Sequence, residues 1–256
     1  MVNDKVFPPI VYKYRKWDNG FHQRIIKNNE VYFSAPKDFE DTLDCNPTVI
    51  YPKGHDLFIY LLNYSFRYNL DFNYVRHIQF ASDMYHLSPM SFPDALNSIK
   101  HENDDRFNKR FGVLSVTVDC ANDYMWNEYA DKHRGFCVGF DTRKILYSFK
   151  CGCGFVQYKD SIPPIDFVKD SIDEKIIKTV FYKEKKWEKE KEFRFHRMWS
   201  ENEKIDRNCK LLFDSIKEVI IGNKMPQSFK EEISRIVNKK YPKIILRNEK
   251  SQPIKH

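Results

Sequence analysis

Glycine is scarce, with eight residues in 256, at positions 20, 54, 112, 135, 139, 152, 154 and 222. At those spacings neither G-x-G-x-x-G nor G-x-x-x-x-G-K-[ST] can be assembled, which excludes the ordinary dinucleotide fold and the P-loop NTPases. H-E-x-x-H and G-x-S-x-G are missing too, so the commonest zinc-protease and serine-hydrolase signatures go with them. Apolar runs are short. Leu57 to Leu62 is about as long as any, against the roughly 18 residues of a membrane span, so a soluble chain with no membrane partner is expected. The N-terminal MVNDKVFPPIVYKYRKWD has no basic region followed by an apolar stretch, which points to the cytoplasm. Six scattered cysteines do not make a disulfide framework, and in a reducing compartment they are thiols. Cys151-Gly152-Cys153 lacks the second ligand pair of a zinc site, so no metal is expected.

What the chain does have is bulk. Hydrophobic residues make up 41% and aromatics 16%, enough to bury a core and exclude global disorder. The net charge is +7, and residues 224–256 carry nine Lys or Arg against three Glu, so the basic excess sits at the C-terminus. Such an end suits nucleic acid, and it also suits a solvated terminal helix. Alternation or β-rich runs predict strands at 10–15, 31–34, 112–116, 135–140, 154–158, 211–213, 216–221 and 244–246. Helical spacing predicts an inserted lobe over about 56–108, a short helix begun by Asn122, one helix over 172–181 and another over about 228–239. With no repeat or linker, the expectation for 1–256 is a single α+β domain: a mixed, mainly antiparallel sheet carrying a helical lobe.

Three constellations carry chemistry. In Trp187 to His196, a strand would place Glu192, Arg194 and His196 on one face, with Glu190 just before them and Phe193 and Phe195 facing the core. Two carboxylates fixed there can steady a developing positive charge, although a charged strand face looks the same in sequence. Trp126, Tyr129 and His133 form an aromatic group suited to a pocket wall with a polar handle, or to plain core packing. Near the N-terminus, Arg15 is a candidate phosphate clamp assisted by Lys13, with Tyr32 and Ser34 on the next strand.

VYKYR, EVYFSAPKDFEDTLD, FGVLSVTVDCANDYMWNEYADKHRGFCVGFD, WEKEKEFR and IKEVIIG, in that order, resemble the bacterial family called domain of unknown function 2971. The resemblance spans nearly the whole chain, and the helical lobe is its least distinctive part. The family's F-N-D-P-F-D is here Phe39-Glu40-Asp41-Thr42-Leu43-Asp44. Some members occur in mobile elements and antiphage defence neighbourhoods, which implies an effector role. A second similarity is to mono-ADP-ribosyltransferases, through a basic residue on a first strand, a Tyr/Ser strand, then Glu-x-Glu entering a late strand. That resemblance implies NAD as substrate and a macromolecular acceptor. Arg15 would hold the pyrophosphate and Tyr32 or Ser34 the nicotinamide ribose, while Glu192 would bind the ribose hydroxyl and Glu190 would orient the acceptor. Trp126, Tyr129, His133 and Arg194 complete the candidate site. The alternatives are a nucleic-acid- or protein-binding module that stacks ligands on Trp126, Tyr129 and Trp187, and a nuclease holding Mg²⁺ on Asp41, Asp44 and Glu192.

Overall fold

The computed structural model describes residues 7–86 and 107–250. The alternating IVYKYR segment forms β1 (Ile10–Arg15). Asn19 caps helix α1 (Gly20–Asn28), which ends at the left-handed Asn29 and leads into β2 (Glu30–Tyr32). After β3 (Val49–Ile50) come α2 (Gly54–Tyr68) and α3 (Tyr74–His86), which pack together through Leu57, Leu61 and Ala81. These helices occupy much of the expected lobe, and positions 87–106 lie outside the described residues.

β4 (Phe111–Thr117), α4 (Asp123–Glu128), β5 (Phe136–Asp141) and α5 (Thr142–Phe149) follow. The expected strand at 154–158 is two strands, β6 (Gly152–Phe155) and β7 (Gln157–Lys159). Between them the Val156 amide donates to the carbonyl of Glu192, the first residue of β10, as the last rung on that side, and β7 pairs with β9 instead. After β8 (Ile165–Asp166), the single helix expected at 172–181 is α6 (Ile172–Ile176) continued as a wider π-helical turn (Ile177–Phe181). β9 (Tyr182–Glu184), a 3₁₀ turn (Lys185–Glu190) and β10 (Glu192–Met198) complete the acidic region.

Leu211-Leu212-Phe213 is not a strand. The pairing segment is β11 (Asn208–Lys210), which joins β2 in a small separate sheet, while Leu211 is held by a hydrogen bond to the Asn29 carbonyl. β12 (Ile216–Ile221), α7 (Gln227–Lys240) and β13 (Ile245–Asn248) close the chain.

The main sheet runs β13-β12-β5-β1-β4-β10-β6 and is antiparallel except for the parallel β12–β13 pair. This is the mixed α+β architecture the patterning predicts. Val11, Leu114, Val116, Phe136, Phe193 and Phe195 share one core with Ile25 and Ile26 of α1, Ile145 and Phe149 of α5, and Ile233 and Val237 of α7. Tyr14, Cys137 and Ile220 pack with Trp126 of α4 in a second cluster.

At its centre the sheet is split. β1 pairs with β5 along its whole length, from Ile10↔Asp141 to Arg15↔Phe136, and β4 pairs with β10 over seven positions. β1 and β4 meet only at Tyr12↔Thr117. Further along, Val113 exchanges both backbone hydrogen bonds with Ser34. In an antiparallel ladder alternate residues bond toward the same edge, so the Ser115 backbone faces the gap. There its carbonyl accepts from the Lys13 ammonium rather than from β1.

Candidate functional site

A cavity of about 200 Å³ lies along this split. Its lining includes Lys13 and Arg15 from β1, Ser115 from β4, and Tyr129, Glu190 and Glu192. The acidic part is built by the reversal after the 3₁₀ turn. Lys191 adopts a left-handed conformation (φ 48°), so Glu190 on the turn and Glu192 at the start of β10 both reach inward. The alternation read from the sequence holds in β10: Phe193 and Phe195 are in the core, and Glu192 and Arg194 are buried on the opposite face.

Five charges share that face. Lys183 Nζ lies 2.6 Å from Glu190 Oε2 and 3.3 Å from both Glu192 Oε2 and Asp44 Oδ2. Arg194 grips Asp44 with two parallel hydrogen bonds of 2.8 and 2.7 Å, reaches Glu192 Oε2 at 2.8 Å and donates to the Val180 carbonyl in the π-helical turn. Breaking such a buried pair by deleting one partner costs on the order of 3–5 kcal/mol. Burial works against the Glu192 charge, but Arg194 and Lys183 overcome it and hold the carboxyl below its ordinary range. Burial likewise opposes the Lys183 charge, and Glu192, Asp44 and Glu190 raise its pKa regardless. The set carries three carboxylates against two cations, so one negative charge remains. Tyr129 donates to Glu190 Oε1 at 2.5 Å, and burial followed by the Glu190 charge keeps it a phenol. The Glu192 amide donates to the Tyr158 hydroxyl at 2.8 Å, and Trp187 donates to Asp41 at 2.6 Å.

The β1 side chains are the electrical opposite. Among the described residues no carboxylate pairs with Lys13 or Arg15, whose hydrogen bonds go to the Ser115 and Tyr14 carbonyls. Desolvation, then Arg15, pushes the Lys13 pKa well below that of an ordinary lysine. Desolvation lowers Arg15 to about 10.

Arg15, Ser34, Tyr129, Glu190 and Glu192 therefore line one cavity. Tyr32 lines a neighbouring one. Three other candidates are not brought in. Trp126 is fully buried, edge-on to Tyr14 with ring centroids 5.0 Å apart, so it is neither a cavity wall nor a stacking surface. Residues Asp131, Lys132 and His133 are all left-handed, and this turn carries His133 back over Trp126, where it bonds Glu249 at 2.9 Å. Arg194 is fully buried and acts on the site through Asp44 and Glu192. The nuclease arrangement also meets an obstacle: Asp44 and Glu192 do converge on cations, but these are Lys183 and Arg194, while Asp41 is turned to Trp187. Lys183 was missed in the sequence because it opens the run Lys183-Glu184-Lys185-Lys186, which reads as a solvated face.

Residues 125–233 match the family model described as Protein of unknown function (DUF2971). The chain resembles DUF2971 across α4 through the first half of α7, a span that includes Tyr129, Lys183, Glu190, Glu192 and Arg194. β1 with Lys13 and Arg15 precedes the matched DUF2971 span. No curated protein and no solved structure matches the chain.

Proposed function

We propose that the cavity binds NAD and that the protein transfers ADP-ribose from it to a macromolecular acceptor. The observation that carries this reading is the make-up of one cavity: two basic side chains with no carboxylate partner among the described residues line it together with two buried, oriented carboxylates. A dinucleotide with a cationic ring at one end and a pyrophosphate in its middle matches that make-up. Arg15 and Lys13 hold the pyrophosphate, Arg15 by a planar two-point grip and Lys13 as a point charge. Ser34 supports the nicotinamide ribose.

The bond between nicotinamide nitrogen and ribose C1′ breaks with its electron pair leaving on the nitrogen, so nicotinamide departs neutral and the ribose takes on oxocarbenium character. Glu192, held ionised by Arg194 and Lys183, strengthens its hold on the ribose hydroxyl as that charge grows. A nucleophile on the acceptor then bonds to C1′, and its proton passes to Glu190, which Tyr129 and Lys183 keep in position. The enzyme's part is therefore positioning and fixed electrostatics.

The test is nicotinamide release from NAD by wild type, Glu192→Gln and Arg15→Ala, with thermal melting of each. Glu192→Gln is expected to lose about 10²-fold or more in kcat, as for other fixed electrostatic groups. Arg15→Ala, which breaks no ion pair among the described residues, is expected to raise KM for NAD. Equal release by all three proteins, or none by wild type with protein and nucleic-acid acceptors supplied, overturns the proposal.

A further inference from the structure

A second cavity, of about 290 Å³, adjoins the first and is not used by the bond-breaking chemistry above. Lys13 and Arg15 line both cavities, so they form the partition between them. Further lining includes His22 and Ile25 of α1, Tyr32 of β2 and Asn208 of β11.

Among the described residues no carboxylate forms an ion pair with the two basic groups of the partition. Arg24, the other cation of its wall, is already held by Glu30 at 2.6 Å, which leaves Lys13 and Arg15 to meet an anion at the partition. Half-buried cations without counter-charges are costly unless a ligand supplies one. Among the described residues the buried His22 Nδ1 has no hydrogen-bond partner. Burial and then the Arg15 charge lower His22 to about 4, so at neutral pH it is an uncharged imidazole beside the two cations.

Beyond the partition the walls change character. Phe21 and Tyr32 are 78% and 43% exposed, large aromatic faces left uncovered, while Ile25, Val31 and Leu114 supply an apolar floor. Asn208 sits opposite Tyr32 in the β11–β2 pair and presents an amide at the same wall. Aromatic faces with one amide suit a flat heteroaromatic base, because stacking supplies affinity and the amide reads its edge.

We infer that this second cavity seats the adenosine half of the dinucleotide, with its phosphates on Lys13 and Arg15 and its base against Tyr32 and Asn208. The inference rests on the NAD reading for the identity of the whole ligand, but it makes a claim of its own: adenosine diphosphate binds here without the nicotinamide half.

The experiment titrates the isotope-labelled full chain with adenosine diphosphate, inorganic diphosphate and nicotinamide mononucleotide, in wild type, Tyr32→Ala and Asn208→Ala, with melting curves as a folding control. Adenosine diphosphate is expected to shift the His22 and Tyr32 resonances and to bind at least about tenfold more weakly in each variant, roughly the loss of one well-placed contact. Nicotinamide mononucleotide is expected to leave those resonances unmoved. Binding that is unchanged in both variants, no binding to wild type, or inorganic diphosphate binding as tightly as the nucleotide overturns the inference, even if nicotinamide release is observed. Variant-sensitive nucleotide binding without any nicotinamide release supports the seat and overturns the transferase reading instead.

Discussion

Glu192 shows how a single carboxyl is set by its neighbours. Its ordinary pKa is 4.5, and in the fold Arg194 and Lys183 hold it lower against the effect of burial. The unfolded chain therefore binds the proton more readily. The stabilisation is complete above about pH 4.5 and is lost as the pH falls through the depressed value. Urea unfolding followed from about pH 6 to pH 3 is expected to show a wild-type stability that falls steeply with acid and a Glu192→Gln protein that falls less steeply. Parallel curves would mean that Glu192 titrates alike in both states. At this scale the sequence was legible where periodicity spoke: Glu190, Glu192 and the inward phenylalanines follow from a two-residue repeat entering a strand. It was silent on His133, because a left-handed turn over Asp131, Lys132 and His133 contains no glycine to announce it. Lys183 was hidden for a different reason, its charge being paired by segments that meet only in the fold.

Among the elements, β1 matters most, since it carries the cations and leaves β4 after one rung. Its end is fixed from the other side by β5. A Cβ at Gly135 would stand 2.3 Å from the Arg15 carbonyl oxygen and 2.9 Å from Ala130 backbone atoms. Backbone cannot yield as a flexible side-chain tip does, so Gly135→Ala is expected to cost on the order of 1–3 kcal/mol and to shift Arg15. A lower urea midpoint together with weaker nucleotide binding would match this, and an unchanged midpoint would show that the strand end adjusts freely. Most strands were readable because alternation survives in β1 and β10, and because β4 and β12 are short apolar, β-branched runs. The elements misread are those whose pairing is decided elsewhere. Leu211-Leu212-Phe213 has strand-forming residues but only the Leu211 amide finds a strand-side partner, and 154–158 divides because β10 begins at Glu192 and the residues beyond Val156 pair with β9 instead. α5 went unseen because eight residues in two turns give too little periodicity to separate from noise.

Taken as a whole, the molecule has a main sheet made of two halves, β13-β12-β5-β1 and β4-β10-β6, linked by the single Tyr12–Thr117 rung. No sequence pattern announces this, because each half is patterned like an ordinary sheet and the divergence is a relation between them. Across the gap side chains stand in for missing rungs: Lys13 donates to the Ser115 carbonyl and Arg15 to the Tyr14 carbonyl, so polar groups that a ligand can engage line the split. A polar ligand lying there completes the lattice, and its binding free energy is added to that of the native state alone. At about 100 times its dissociation constant, such a ligand contributes roughly 2.7 kcal/mol. For a chain of this size that raises the melting temperature by roughly 5–10 °C. The protein is thereby its own sensor: a thermal-shift screen over nucleotides, sugar phosphates and diphosphates, run without any assumed reaction, is expected to rank ligands by how well they bridge the two half-sheets. Adenine dinucleotides are expected at the top of that ranking, and a screen in which no phosphate-bearing compound moves the transition would take the split out of consideration as a ligand seat.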